Sequence, residues 1–152
     1  MPTEILEFGT PEPGADYRFR PGSYAVLRDD FGRVAIVVLP VGNFLPGGGQ
    51  ESGETSEETL HREVREECGF AIRVGPRIGV ADELFFAPSS KTHFRKRGTF
   101  FTATPVPGPL TPTDPGHALR WCAPAEALLR LTHESHRWAV ERALAQPTPA
   151  TA

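Results

Sequence analysis

Residues 48–70 read GGQESGETSEETLHREVREECGF, and this stretch decides the fold. A glycine loop runs into a segment with helical markers. Thr55 and Glu58 have the T-x-x-E spacing of a capping box, and Gly69 stands where a helix would stop. A helix is therefore expected from Thr55 to about Cys68. At about 100° per residue, Leu60, Val64 and Cys68 fall within roughly 80° of one another and form the stripe to be buried. Glu67 lies at the edge of that stripe, Glu63 next to it and Glu66 further round. Glu63, Glu66 and Glu67 are spaced i, i+3 and i+4, so a helix brings three carboxylates onto neighbouring positions. Such charges repel unless a cation sits among them. Oxygen ligands on a rigid helix suit a hard divalent ion such as Mg²⁺.

Working outward, residues 33–39 (RVAIVVL) form a nearly continuous apolar run and read as a buried central strand. Residues 23–28 (SYAVLR) form another strand, and the intervening Asp-Asp-Phe-Gly turn predicts a hairpin between the two. Residues 42–45 make a short strand leading into the glycines at 47–49. Beyond the helix, strands are expected at 71–74, 78–86, 93–104 and 119–122, with a proline-rich connector at 105–115. Helices follow at 124–131, with proline in the first turn, and at 134–145. Val140 and Leu144 are assigned to the core face of the last helix and Trp138 to another surface. Ahead of these elements, residues 5–8 (ILEF) allow a short edge strand. The domain is placed at 21–145, after an N-terminal extension of 1–20 and before a frayed tail of 146–152. Strands around a helix, then more strands and helices, imply an α/β protein with a mixed sheet between helices.

The chain of 152 residues is long enough for one domain with its own core. Its apolar content of 39% and charged content of 23% are those of a globular protein, and 16 prolines with 15 glycines imply many turns. A net charge of −3 argues against a general nucleic-acid or membrane-surface binder. No apolar run approaches a membrane span, and the first residues lack the basic and apolar regions of a signal peptide. Two cysteines make neither a disulfide framework nor a zinc site. They are read as reduced thiols of a cytoplasmic protein, with Cys68 a small core residue rather than a nucleophile.

The stretch 48–70 resembles the Nudix box, G-x5-E-x7-R-E-U-x-E-E-x-G-U, where U is bulky and apolar. Gly48, Glu54, Arg62, Glu63, Val64, Glu66, Glu67, Gly69 and Phe70 match it. Phe70 departs mildly from the usual aliphatic residue. The resemblance implies the Nudix α/β/α sandwich and a hydrolase that cleaves a diphosphate linkage in a nucleoside diphosphate joined to another group. It implies Mg²⁺ or Mn²⁺ as cofactor. Glu63 and Glu67 would be the principal metal ligands, Glu66 the third, and the carbonyl of Gly48 or its neighbour a further ligand. Arg62 would hold the catalytic glutamates, and Glu54 would engage Arg62. The base is left among the box glutamates and a loop acid. Dimerisation is common in the family, so a homodimer is admitted. A small nucleotide-type substrate is the expected partner. Marks of the ADP-ribose, diadenosine-polyphosphate, NADH and coenzyme A types are absent or displaced. A nucleoside di- or triphosphate or a nucleotide sugar is favoured, and a nucleotide-binding sensor without turnover is the alternative.

Without the full box, the acids would read as a solvated helix face with Glu58–Arg62 and Arg62–Glu66 pairs. Outside the box, Glu83 is equally an extra metal ligand or an exposed strand acid. Lys91, His93, Arg95, Lys96 and Arg97 form a basic cluster. His93 and Arg95 are candidates to grip substrate phosphates, against a role in edge protection. Alternation puts His93, Arg95 and Arg97 on one face and Lys96 on the other. Phe44, Phe85 and Phe86 can stack a base, although core packing suits most of them better. His133 and His136 read as polar residues at a helix end.

Overall fold

A computed structural model describes residues 4–146. It contains eight strands and three helices: β1 (Leu6–Phe8), β2 (Tyr17–Leu27), β3 (Val34–Leu39), β4 (Gly42–Phe44), β5 (Gly47–Gly49), α1 (Ser56–Cys68), β6 (Ile72–Ala87), β7 (Thr92–Pro105), β8 (Ala118–Cys122), α2 (Pro124–Arg130) and α3 (Glu134–Ala145). The strands form a five-stranded mixed sheet, β1-β6-β7-β2-β5, and a three-stranded antiparallel sheet, β4-β3-β8. The expected mixed α/β architecture is present.

Strand β2 explains the layering. Its residues alternate between two cores, Tyr24 and Val26 facing one and Ala25 and Leu27 the other. The first core is closed by Ala127, Ala139, Val140 and Ala143 of α2 and α3. The second is closed by Leu60, Val64 and Cys68 of α1. A 13-residue helix is marginal by itself, so packing of this stripe fixes α1. Leu60 and Val64 are fully buried, and each such burial contributes about 1.5–3 kcal/mol.

The ends of α1 follow their sequence signals. Thr55 Oγ1 accepts from the Glu58 N–H at 3.1 Å, and the Glu58 carboxylate accepts from the Thr55 N–H at 3.2 Å. Gly69 ends the helix in the left-handed conformation with φ 82°. The proline-rich connector then folds back onto this end. The Thr111 N–H donates to the Gly69 carbonyl at 2.7 Å and the Asp114 N–H to the Glu66 carbonyl at 2.9 Å.

Several expectations fail for identifiable reasons. The hairpin between residues 23–28 and 33–39 does not form; the two segments share only the Arg28–Val34 bridge. Strand β2 pairs in parallel with β7 along its length and antiparallel with β5, so β3 pairs instead with β4 and β8. The separate strands at 71–74 and 78–86 are one strand, β6, whose register shifts near Gly75 and Pro76 without breaking it. Strand β2 starts at Tyr17, within the expected extension, whereas the short edge strand expected at 5–8 is present as β1, parallel to β6. Leu144 is 39% exposed; Ala139, Val140 and Ala143 form the inner face of α3. Trp138 packs over Phe8 and Phe100. The expected tail lies outside the described residues except for Gln146. Among the described residues no helix is long and apolar enough to cross a membrane.

Gly69→Ala should destabilise the fold by at least about 1 kcal/mol, because φ is positive and a Cβ would come within 2.6 Å of the Thr111 carbonyl oxygen. Denaturant unfolding checks this, and an unchanged midpoint would refute the role given to this cap.

Candidate active site

Arg62, in the second turn of α1, is the hub of the site. Its Nε and Nη2 bond Glu54 Oε2 and Oε1 at 2.7 and 2.9 Å, a two-pronged contact that fixes the guanidinium plane. Its Nη2 also donates to the Gly49 carbonyl at 3.0 Å, tying the glycine loop to the helix. Its Nη1 bonds Glu63 Oε1 at 2.9 Å and reaches Glu66 at 3.5 Å. The pairing with Arg62 holds the Glu54 carboxyl down to about 2. Glu66 is the loosest partner, and its side chain is the most open of the three box glutamates at 42% exposed.

Glu67 points the other way, into the protein. Its Oε1 accepts the Gly47 N–H at 2.8 Å and its side chain is almost wholly buried. Burial pushes its carboxyl up to about 8, opposed by the Gly47 hydrogen bond and reinforced by Glu63. Glu63 is also raised, first by burial, although Arg62 works against it. The glycines allow this close approach. A Cβ at Gly48 would come within 2.5 Å of the Glu63 carboxyl carbon, and Gly47 adopts φ 147° with its Cα against β2.

Two residues of the connector also reach the carboxylates, and sequence reasoning did not single them out. His117 Nε2 lies 3.8 Å from Glu67 Oε2, while its Nδ1 is buried without a hydrogen-bond partner. Asp114 adds a negative charge that raises both Glu63 and Glu67. No local motif marks them; the fold-back of the connector onto α1 brings them there.

The donor set suits a hard divalent cation. It is made of carboxylate oxygens, and Glu67 is a buried acid raised first by burial, which the Gly47 hydrogen bond and the charge of Lys96 offset only in part. Glu63 and Glu66 lie on Arg62 rather than round a common point. Among the described residues no three acidic, histidine or cysteine side chains are gathered closely enough to enclose an ion.

Beside Glu67 lies a cavity of about 240 Å³, lined by Arg20, Tyr24, Phe44, Leu45, Lys96 and the glycines of β5 among others. Phe44 is thus at the site. Lys96 stands 4.8 Å from the Tyr24 ring centroid and 5.4 Å from that of Phe44. The other candidates for substrate contact lie elsewhere. Arg95 and Arg97 clasp Asp82 at 2.8–3.0 Å, and Arg95 also reaches Glu7 at 3.1 Å. His93 packs against Phe86 at a tilt and against Tyr17 edge-on, and faces Glu12 at 3.5 Å. Glu83 is buried, and its Oε1 accepts the Ser135 N–H at 2.8 Å, capping α3 from the sheet. His133 and His136 are buried rather than surface helix-end groups. Burial holds His133 down to about 3, and the His136 Nδ1 accepts the Leu45 N–H at 3.0 Å. Burial also raises the Cys68 thiol to about 12, consistent with a core residue.

This arrangement of box, helix and sandwich is that of the Nudix proteins, and the NUDIX domain family matches residues 18–144: the chain belongs to this family. No curated protein matches it significantly in sequence. Among solved structures it resembles a NUDIX hydrolase from Nitrosomonas europaea, with TM-score 0.68 and 21% identity over 84% of this chain and 90% of that one. It also resembles a MutT NUDIX hydrolase from Burkholderia pseudomallei, with TM-score 0.60 and 25% identity over 82% and 98%. A third likeness is to the E. coli dihydroneopterin triphosphate pyrophosphohydrolase, with TM-score 0.62 and 21% identity over 83% and 95%.

The Glu67 environment has a measurable consequence. With a folded pKa of about 8 against 4.5 for the free group, the folded chain keeps a proton that the unfolded chain gives up between these values. The resulting stabilisation is full below pH 4.5 and is lost as pH rises through 8. In EDTA, wild-type Tm should therefore fall relative to that of Glu67→Gln as pH rises across this window. Parallel Tm curves would show that Glu67 is not a buried, unbalanced acid.

Proposed function

We propose that this protein is a divalent-metal-dependent pyrophosphohydrolase acting on nucleotide-type substrates, a nucleoside triphosphate or nucleotide sugar being favoured. The observation that carries this reading is the intact Nudix carboxylate set on α1, held by the two-pronged Arg62–Glu54 contact in a chain of this family. The E. coli neighbour is itself named a dihydroneopterin triphosphate pyrophosphohydrolase, an enzyme of phosphoanhydride cleavage.

Glu63, Glu66 and Glu67, with a carbonyl of the glycine loop at Gly48, would hold Mg²⁺ or Mn²⁺. The bound ion would supply charge neutralisation of the phosphates and a lowered pKa for water. The chain's own residues have distinct tasks. Arg62 holds Glu63 and Glu66 against their mutual repulsion, and Glu54 holds Arg62. Gly47 fixes the Glu67 carboxyl through its N–H. The connector bonds to the end of α1 and brings Asp114 and His117 to one side of the same carboxylates. Phe44 offers an aromatic surface beside Glu67, where a ring attached to the diphosphate can lie, in a cavity that the largely buried Tyr24 also lines. In the overall reaction a water oxygen bonds to phosphorus, the bond from phosphorus to the bridging oxygen breaks, and two phosphorylated products leave.

The test is product release across nucleoside triphosphates, nucleotide sugars and dinucleoside polyphosphates with Mg²⁺ or Mn²⁺. Glu67→Gln should reduce turnover by orders of magnitude, about 10²-fold or more, while leaving the unfolding transition cooperative. Equal turnover in the variant would remove the assignment. Tight nucleotide binding without turnover in the wild type would mark a binding domain instead.

A further inference from the structure

The cavity beside Glu67 contains an ammonium, that of Lys96, which acts on Glu67 across the cavity without forming an ion pair. Lys96 is partly buried, and among the described residues no carboxylate lies within ion-pairing distance of its Nζ. This contrasts with its neighbours Arg95 and Arg97, which share Asp82 on the opposite sheet face. The register makes the contrast: Lys96 pairs with Glu83 and Arg20 across the sheet, and Glu83 is committed to the N-terminus of α3. The imidazoles next to Lys96 add no further positive charge, because burial, with Lys96 acting in the same direction, keeps His133 and His136 neutral.

The cavity is rich in donors and poor in acceptors. Its polar side chains are Arg20, Tyr24, Lys96 and Glu67. Arg20 stacks over Phe94, with its guanidinium carbon 4.7 Å from the ring centroid. Glu67 accepts the Gly47 N–H at Oε1, and its other oxygen is one the proposed cation would take. Two lining carbonyls are also occupied, Pro21 by the Gln50 N–H and Gly49 by Arg62. A ring lying against Phe44 would therefore meet an ammonium donor, and the carboxylate that lines the cavity, that of Glu67, is the one assigned above to the cation.

We infer that the cavity bounded by Tyr24, Phe44 and Lys96 selects nucleobases with a keto oxygen at purine C6 or pyrimidine C4, guanine and uracil, over adenine and cytosine, which carry an amino group at that position. The inference rests on the nucleotide reading of the site above and specifies its substrate class. The physical basis is the donor and acceptor pattern of the bases. Guanine O6 with N7 and uracil O4 accept from lysine, whereas the adenine N6 and cytosine N4 amino groups are donors that Lys96 would oppose. An amino group placed there also loses its hydrogen bond to water without replacement.

Equilibrium binding of GDP, UDP, ADP and CDP to the full chain with Mg²⁺, measured by calorimetry, tests this without requiring turnover. GDP and UDP should bind about tenfold more tightly than ADP and CDP. Lys96→Met should bring the four within about twofold, and Lys96→Arg, which keeps a donor, should preserve the ranking. A lysine that merely covers the two rings would change all four affinities equally. Equal affinities in the wild type, an amino preference, no binding by any of the four, or a ranking that survives Lys96→Met would each overturn the inference. The wild-type comparison stands even if a variant fails to fold. A keto preference without hydrolysis of any triphosphate would support the pocket and defeat only the hydrolase reading.

Discussion

Everything at the site depends on one guanidinium. Arg62 lies among four carboxylates of the glycine loop and α1, those of Glu51, Glu54, Glu63 and Glu66. Without a cation in their midst these groups would spread into solvent, since exposed carboxylates gain nothing from proximity. Glu54 differs from the rest because it takes two short, parallel bonds, and this fixes the direction of the fork. The remaining donors then set where the Glu63 carboxyl and the Gly49 carbonyl can sit. The spacing of the motif follows from this. The loop must fold back far enough for Glu54 to meet a residue two turns into the helix, and the glycines let its backbone lie flat against Glu63.

The second constraint is the division of charge by the sheet. Strand β7 carries HFRKRG, and a pleated strand sends alternate residues to opposite faces. Arg95 and Arg97 reach Asp82 and Glu7, where an ion-pair cluster ties β7 to β6 and β1. Burial pushes the Asp82 carboxyl up, but the bonds from both arginines outweigh it and hold the group low. Lys96 alone of that run turns to the cavity beside Glu67. Two anchors then hold α3 near this cavity: Glu83 takes the Ser135 N–H, and His136 takes the Leu45 N–H at the end of β4. The buried acid and imidazole thus position a wall of the cavity.

The helix α1 was legible in the sequence from cap to cap, as were the stripe of Leu60, Val64 and Cys68 and the bounds of α3. These features are local: each rests on residues within a few turns of one another. The pairing of strands was not legible. Residues 23–28 and 33–39 have the look of a hairpin, but β2 is buried on both faces and finds partners in β7 and β5, far along the chain. The continuity of β6 through Gly75 and Pro76 was hidden because both residues normally end strands. For the site, the sequence named Glu54, Glu63 and Glu66, which stand round Arg62, but not Glu51. It passed over Asp114 and His117, which a proline-rich connector delivers by folding back. It also named Arg95 and His93 within the basic cluster where the cavity holds Lys96. Alternation had separated those faces correctly; which face turned toward the carboxylates depended on the parallel pairing of β7 with β2.

The central claim is that the carboxylates gathered by Arg62, with Glu67 beside them, hold a divalent cation. Titration of Mn²⁺ into the wild type and into a Glu63→Gln, Glu67→Gln double variant, followed by electron paramagnetic resonance, tests it most directly. The expected result is saturable binding to the folded wild type and its loss in a double variant that still unfolds cooperatively. Unchanged Mn²⁺ affinity in the folded double variant would contradict the claim and place any cation elsewhere.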